Sequence, residues 1–243
     1  MTIKWLAEWV RCALHVLCTA VCIFLIAASV RGQQTLKVMT FNIWHGGRET
    51  GEIEGPLRVA DVIRASGADI VAVQETYGSD ERIAKALGFY RYLRGENLSI
   101  MSRYPIVEVL DAGHPFHGVA ARIDVPGGPV TVASVWLNYP FDYWEDLEKS
   151  VWIESAQWRV RQDEVNAGTL RSILDTLRPL LARRDHEPVI VCGDFNTGSH
   201  LDWIDATRHL HAGYVMSFPT TQLMESEGFA DAFQEIHPDP LRV

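Results

Sequence analysis

The sequence predicts a layered α/β domain, and three features of the chain support this fold class. From Leu36 onward, segments typical of strands alternate with segments of helical periodicity, as expected where helices pack outside β-sheets. No internal repeat, low-complexity tract or Pro/Gly/Ser-rich linker interrupts residues 34–243, which favours a single domain. Hydrophobic residues make up 47% of the 243 residues, which is enough for a sizeable core.

Strands dominate the first part of the predicted domain. They are expected over residues 36–41, 69–74, 97–102, 105–110, 118–125 and 129–137. A helix over 56–66 begins with proline, and a shorter helix over 79–87 has Ser79 as its capping residue and acidic residues in its first turn. The pair Gly127-Gly128 predicts a hairpin turn between the last two strands.

A long helix, one more strand and a second helical segment follow. The helix is predicted over 154–177, and Pro179 is expected to end or kink it. Its apolar face is expected to contain Val165, Leu170, Ile173, Leu174 and Leu177. The strand covers 188–192, where Cys192 is expected to be buried and to serve packing, and helical material covers 201–210.

The N-terminal 32 residues form a separate segment. Residues 13–30 carry no charge, and this length is near the lower bound for a membrane span and slightly above a usual signal-peptide core. We interpret residues 1–32 as a signal peptide or an N-terminal membrane anchor, with a buried core helix as the remaining alternative, and residues 33–243 as the domain. The first two interpretations predict an exported protein, either secreted or periplasmic, or one anchored through residues 13–30.

Polar side chains follow three of the predicted buried strands. Asn42, Glu75 and Asp194 lie at such positions, and Asn196 is two residues beyond Asp194. Ligand sites in α/β folds collect at the carboxyl ends of strands, so neighbouring strands would bring these groups together. Two crowded carboxylates repel unless one is protonated or a cation lies between them, and oxygen ligands favour Mg²⁺, Mn²⁺ or Ca²⁺ over zinc. Taken alone, a strand-end Asn is more typical of a turn and a strand-end Glu of a solvated rim, and Asp194 after Gly193 is compatible with an ordinary turn.

Four motifs occur along the chain in a distinctive order: TFNIWHGG (40–47), DIVAVQE (69–75), SIMSRYPI (99–106) and VIVCGDFN (189–196). Together they resemble the endonuclease/exonuclease/phosphatase superfamily, whose fold is that of DNase I. The resemblance covers about residues 36–240. It implies a DNase I-like four-layer α/β-sandwich, in which two central mixed β-sheets are flanked by helices.

The resemblance also implies an activity and a role for each residue at the strand ends. The activity is divalent-metal-dependent hydrolysis of phosphate esters, of the phosphodiesterase, nuclease or phospholipid/inositol-phosphate phosphatase type. Glu75 would ligate the cation, with Asn42 supporting the metal site by hydrogen bonding. Asp194 would orient or deprotonate the attacking water, and Asn196 would hold a phosphate oxygen. The expected cofactor is Mg²⁺, with Mn²⁺ or Ca²⁺ as alternatives.

The chain departs from the family pattern at one strand end. The family usually has a histidine there, in a T-H-L-like triplet, whereas this sequence has Trp136, which cannot accept a proton as an imidazole does. Asn138 and Tyr139 are the nearest polar replacements, and His45 is a second candidate for a phosphate contact. These three are therefore the candidate substrate-binding residues.

A second departure concerns the C-terminus. The family closes with a strand and an Asp-His pair, whereas this sequence ends at Val243 without one. The dipeptide Asp185-His186 precedes strand 188–192, so it is expected in a surface loop at the far end from Asp194. We therefore expect a C-terminally truncated domain. The alternative is a natural short form that a partner completes. For the function, the alternative to an active hydrolase is a truncated or degenerate domain that keeps the fold without catalytic activity.

The charge of the chain bears on its partners. A formal net charge of −9 argues mildly against a protein held to nucleic acid by broad electrostatics. The expected partner is a phosphate-ester substrate. The charge slightly favours phospholipids or small phosphorylated metabolites over nucleic acid. Contact with a membrane is expected only through the N-terminal segment, and the domain is expected to be a monomer.

Overall fold

In a computed structural model of the protein, the described residues are 35–139 and 153–241, without the side chains of 153–159 and of 161 and 162. The predicted leader lies outside these residues. No helix in the two described ranges combines the length and the apolar composition needed to cross a membrane.

The described residues form two four-stranded β-sheets and the helices around them. The strands are β1 (Val38–Asn42), β2 (Ile70–Gln74), β3 (Tyr90–Arg94), β4 (Leu98–Ser102), β5 (Ile106–Leu110), β6 (Gly118–Val125), β7 (Gly128–Trp136) and β8 (Val189–Asp194). The helices are α1 (Glu54–Ser66), α2 (Asp80–Leu87), α3 (Ile153–Leu181), α4 (Pro219–Ser226) and α5 (Ala232–Ile236). Two 3₁₀ segments cover His45–Thr50 and Asp205–Leu210.

Both sheets are mixed, which confirms the predicted fold class. The first has the strand order β1-β2-β4-β3, and the second has the order β5-β6-β7-β8. The pairs β1–β2 and β7–β8 are parallel, and the other neighbouring strands are antiparallel. The sheets face each other, since the amide of Gln74 on β2 donates to the hydroxyl of Ser134 on β7 at 2.8 Å in the buried interior.

Helices cover the outer faces of the two sheets and complete the four layers. Val59 and Ile63 of α1 and Ile83 of α2 pack with Val71 and Val73 of β2 in one buried cluster. A second cluster joins α3 to the outer face of the second sheet. It contains Ala120, Ala133, Val135, Leu170, Ile173, Leu174 and Leu177.

The long helix differs from its prediction in two respects. It continues through Pro179 to Leu181, so the proline does not end it. Val165 is 53% exposed and does not belong to the apolar face, whereas Leu170 and Leu174 are fully buried. Val165 precedes Leu170 by five residues, and an α-helix turns by about 100° per residue. The two side chains therefore point in clearly different directions, and Val165 lies outside the apolar stripe that contains Leu170.

Two further predictions about helices are wrong in detail. Residues 201–210 form a 3₁₀ segment only over Asp205–Leu210, because the hydroxyl of Thr207 donates to main-chain carbonyls of the preceding loop and competes with regular helical bonds. Ser79 occupies the N-cap position of α2, but its side chain makes no capping hydrogen bond. Strand β3 and helices α4 and α5 are additions to the predicted set.

Strand β8 is half-buried along its whole length and not fully buried as predicted, because it is the edge strand of its sheet. The sulfur of Cys192 lies 3.7 Å from the carbonyl oxygen of Ala133 on β7. Burial of this thiol raises the pKa of Cys192 to about 12, so it stays protonated at neutral pH. This agrees with the packing role that the sequence predicts.

Candidate active site

The amide of Asn42 joins two carboxylates that come from opposite sheets. Its Nδ2 donates to Glu75 Oε1 at 2.9 Å and to Asp194 Oδ2 at 3.0 Å, and its oxygen accepts from the backbone N–H of Trp44 at 2.9 Å. Asn42 ends β1 and Glu75 directly follows β2 in the first sheet, whereas Asp194 ends β8 in the second. The structure thus brings the three predicted strand ends together across the sandwich and not along one sheet.

Glu75 is a buried carboxylate, with only 4% of the residue exposed. It accepts hydrogen bonds from Asn42 and, at 3.0 Å, from the backbone N–H of His45. Within the described ranges, no lysine or arginine forms an ion pair with Glu75 or Asp194. Because a buried charge is costly unless it is paired or binds a metal, this pair has the environment of a cation site.

The residue before Asp194 is a glycine, Gly193, and a side chain at this position would collide with the neighbouring strand. Gly193 has a φ of 149°, and a Cβ atom there would lie 2.1 Å from the carbonyl oxygen of Val135 on β7. The glycine therefore lets β8 approach β7 closely just before the acid. Oδ1 of Asp194 then accepts from the backbone N–H of Asn196 at 3.1 Å, which fixes the orientation of the carboxylate.

The predicted phosphate and substrate contacts have different surroundings. Asn196 donates one amide hydrogen to the carbonyl oxygen of Leu137 at 3.0 Å, which leaves the second amide hydrogen for a ligand. Asn138 is tied to α3, since its amide donates to Thr169 at 3.1 Å. Tyr139 is 61% exposed beside it. The substrate contacts of Asn138 and Tyr139 stay predictions.

His45 is at the exposed rim of the site. Its ring stacks on that of Trp44 with 4.5 Å between centroids, and its Nδ1 lies 3.1 Å from Glu49 Oε1. Trp44 is itself 58% exposed. The imidazole therefore lies at the surface, whereas the backbone N–H of the same residue supports Glu75. Its predicted phosphate contact stays a prediction.

Left-handed backbone conformations are concentrated at this site. Of six non-glycine residues with positive φ in the described ranges, five belong to the loops at the strand ends: Trp44, His45, Glu75, Tyr77 and Asn196. Such conformations cost about 1–3 kcal/mol each and cluster at functional sites. Arg48 helps to hold them, because its guanidinium donates to the carbonyl oxygen of Tyr77. The sequence contains no local signal for this strain.

Three aromatic side chains, here called the aromatic wall, lie close together at the strand ends: Tyr77, Phe116 and Trp136. Trp136 is paired in register with Asp194, so the indole lies on the same face as the carboxylate. Its ring lies 6.3 Å from that of Tyr77 and 5.2 Å from that of Phe116. Burial and the negative charge of Glu75 raise the pKa of Tyr77. Sequence reasoning missed Tyr77 and Phe116, because only the strand register brings them to Trp136.

The chemistry of the donor set fits a hard divalent cation. The group offers two carboxylates and one amide, and no cluster of three or more Asp, Glu, His or Cys side chains suited to a metal occurs in the described parts of the chain. Mg²⁺ characteristically takes one or two protein carboxylates and completes its shell with water and substrate phosphate. Because the oxygen of Asn42 already accepts from Trp44, its clearest contribution is to hold the carboxylates.

Comparisons with known proteins found a sequence relative and solved structures of similar fold. The chain is 24% identical over 227 residues to an uncharacterized protein of Caenorhabditis elegans, and the match covers 84% of this chain and 67% of that protein. An AP endonuclease from Archaeoglobus fulgidus has a similar structure, with a TM-score of 0.55 and 17% identity, covering 84% of this chain and 76% of its own. An endonuclease/exonuclease/phosphatase from Beutenbergia cavernae superposes over 82% of this chain and 55% of its own, with a TM-score of 0.49 and 19% identity.

The family comparison covers the two sheets and the residues at the strand ends. The model of the Endonuclease/Exonuclease/phosphatase family matches residues 39–222. That range includes every strand of both sheets except the first residue of β1, together with Asn42, Glu75, Asp194 and Asn196. The chain therefore belongs to the endonuclease/exonuclease/phosphatase family, whose members hydrolyse phosphate esters.

Proposed function

We propose that the protein is a phosphodiester hydrolase whose reaction centre is the strand-end cluster of Asn42, Glu75 and Asp194. The observation that carries the proposal is the contact of one amide nitrogen with carboxylates from both sheets. Neither acid has a cationic partner among the described side chains, so a divalent cation would balance their charge. The cation is Mg²⁺ in this proposal, with Mn²⁺ or Ca²⁺ as alternatives.

Each residue then has a defined task. Glu75 holds the cation, which when bound polarises the phosphoryl group. Asp194, oriented by the N–H of Asn196, accepts a proton from the attacking water. Asn196 donates its remaining amide hydrogen to a phosphate oxygen. Asn42 keeps the two carboxylates at a fixed separation, which is the preorganisation that such chemistry needs.

The proposal also covers the class of substrate and the location of the protein. The net charge of −9 favours a phospholipid or a small phosphorylated metabolite over a long nucleic acid. The uncharged run over residues 13–30 supports export of the protein. The exported protein is either secreted or periplasmic, or it is anchored in a membrane through that segment.

The test is hydrolysis of bis-p-nitrophenyl phosphate with and without Mg²⁺ or Mn²⁺. Wild type is expected to turn the diester over only with the cation, and Glu75→Gln and Asp194→Asn are expected to lose this activity. Asp185→Asn is the matched control, because Asp185 is an exposed acid in the turn before β8 and is expected to have no effect. Equal rates in all four proteins would remove the assigned site.

A second candidate function is a domain of the same fold that does no chemistry. It is favoured by Trp136, which stands where the family usually has a histidine. A wild-type protein that binds the cation but does not hydrolyse the diester would support this second function.

A further inference from the structure

His117 lies at the strand end next to Trp136. Its carbonyl oxygen accepts from the backbone N–H of Trp136 at 3.1 Å, which continues the β6–β7 ladder one step beyond the Gly118–Val135 pair. Its ring Nδ1 lies 2.8 Å from the carbonyl oxygen of Trp136. In the described ranges no residue hydrogen-bonds to the other ring nitrogen, Nε2.

The register places His117 and Asp194 in one row across the second sheet. His117 is opposite Trp136, and Trp136 is paired with Asp194. Trp136 and Asp194, as paired residues, point to the same face of the sheet, and that face is the inner one, because Ser134, two residues before Trp136, accepts from Gln74 of the facing sheet. The backbone of His117 lies next to Trp136 in this row. Neighbouring strands lie about 4.7–4.9 Å apart, so the two backbones are separated by roughly 10 Å.

The loop that presents His117 is fixed by buried hydrogen bonds. The guanidinium of Arg94 donates, at 2.7–3.0 Å, to three carbonyl oxygens, those of Ala112, Gly113 and Gly118. Asn97 is fully buried and donates to the carbonyl oxygen of Phe116 at 2.8 Å. The imidazole is therefore held from both sides, by its own bond to Trp136 and by the anchored loop. Such support is what a reacting group requires.

We propose that His117 is a catalytic residue of the proposed phosphodiester hydrolase, which protonates the leaving oxygen. The inference rests on the proposed function. In the protonated ring, Nδ1–H donates to Trp136, and Nε2–H remains to protonate the leaving oxygen. Asp194 and His117 flank the position of Trp136, so the attacking and leaving oxygens of an in-line displacement lie toward opposite residues.

The step balances without any further reactant. The bond between the water oxygen and phosphorus forms, and the bond between phosphorus and the leaving oxygen breaks. The water proton passes to the carboxylate of Asp194, and the Nε2 proton of His117 passes to the leaving oxygen. The products are a phosphomonoester and an alcohol, after which Asp194 returns its proton to solvent and His117 takes one up.

Several charged or titratable groups surround the imidazole. They are His114, with 5.9 Å between ring centroids, Arg94 and its ion-pair partner Asp111, Tyr77 across the aromatic wall, and Asp194 on β8. Arg94 and Asp111 form an ion pair with each other, in which Nε and Oδ1 lie 3.4 Å apart.

The test compares two diesters in wild type and in His117→Asn. The asparagine amide can still donate a hydrogen bond to the carbonyl oxygen of Trp136, but it has no proton to transfer. If His117 had only a structural role, this variant would therefore keep its activity. We expect kcat/KM for diphenyl phosphate, which has a strongly basic leaving group, to fall about 10²–10⁴-fold. For bis-p-nitrophenyl phosphate, whose leaving group needs no proton, we expect a loss of about tenfold or less. The alkaline limb of the pH profile for diphenyl phosphate is expected to disappear in the variant.

The control is His114→Asn, which changes the neighbouring imidazole and is expected to leave both rates unchanged. Equal losses on the two diesters, no loss in His117→Asn, or a selective loss in His114→Asn would each overturn the role of His117. The wild-type protein supplies an independent measurement: a steep dependence of kcat/KM on leaving-group basicity would also overturn it. Absence of wild-type activity on both diesters would instead count against the proposed function.

Discussion

At the scale of single residues, the amide of Asn42 decides how the two carboxylates are held. It donates to both acids at 2.9 and 3.0 Å, and its own oxygen is fixed by Trp44. All the polar atoms of this side chain are thus used in one arrangement. A carboxylate pair held by a neutral donor keeps both negative charges available for a cation.

Replacing Asn42 tests this arrangement directly. We expect Asn42→Ala to lower kcat for a phosphodiester by about 10²–10³-fold, because one preorganised donor at a charged centre is lost. Asn42→Asp has nearly the same shape but replaces the donor with a third negative charge, so we expect a loss at least as large. Steady-state kinetics, with thermal unfolding as the check on the fold, provide the measurement. Full activity in Asn42→Ala would show that the amide has no part in the reaction.

At the scale of elements, β8 carries Asp194 although it is an edge strand. Its start is fixed to β6 by the ion pair of Glu187 and Arg122, whose Oε2 and Nη2 atoms lie 3.3 Å apart. Glu187 is only 7% exposed. The hydrogen bond from Arg122 holds the pKa of Glu187 below its usual value. This ion pair and the close approach at Gly193 secure the two ends of the strand.

The lowered pKa of Glu187 predicts a dependence of stability on pH. A carboxyl group with a depressed pKa in the folded state stabilises the fold above its unfolded-state pKa, and the contribution is lost as pH falls through the folded-state value. We therefore expect Glu187→Gln to be less stable than wild type near pH 7 and the difference to shrink below about pH 4. Urea unfolding at the two pH values measures this. A constant difference would exclude the ion pair as the cause.

The packing of α3 on the second sheet gives a second prediction for an element. Leu174 is fully buried against this sheet, whereas Val165 on the same helix is 53% exposed. Leu174→Ala is expected to lower the free energy of unfolding by about 2–5 kcal/mol, since it leaves a cavity. Val165→Ala is the matched control, with an expected change of about 0.5 kcal/mol or less. Comparable losses in both variants, measured by chemical denaturation, would contradict the assigned helix face.

At the scale of the whole molecule, the site exists only where both sheets meet. Asn42 and Glu75 belong to the first sheet and Asp194 to the second, and the Gln74–Ser134 hydrogen bond joins the sheets just below them. The packed interior between the sheets therefore sets the geometry of the carboxylates. Local features of any one strand do not fix it.

The difference between local features of a strand and the packing of the two sheets explains what the sequence could predict. Strand β6 was predicted with the bounds that the structure shows, and the residues at the strand ends were identified from their motifs. Such features depend on local patterns. His117, which we propose as a catalytic residue, and Tyr77 were not identified, because cross-strand register and a positive φ determine their positions, and no local pattern encodes these. The exposed strand Tyr90–Arg94 was missed for a related reason, since it lacks a continuous buried run.

The most direct test of the central claim is Mn²⁺ binding, measured by titration calorimetry on wild type, Glu75→Gln, Asp194→Asn and the control Asp185→Asn. If the ends of β1, β2 and β8 form one cation site, wild type and the control bind one Mn²⁺ per chain with equal affinity, and the two site variants bind it far more weakly. Unchanged affinity in both Glu75→Gln and Asp194→Asn would contradict the account, because the converging carboxylates would then not hold the ion.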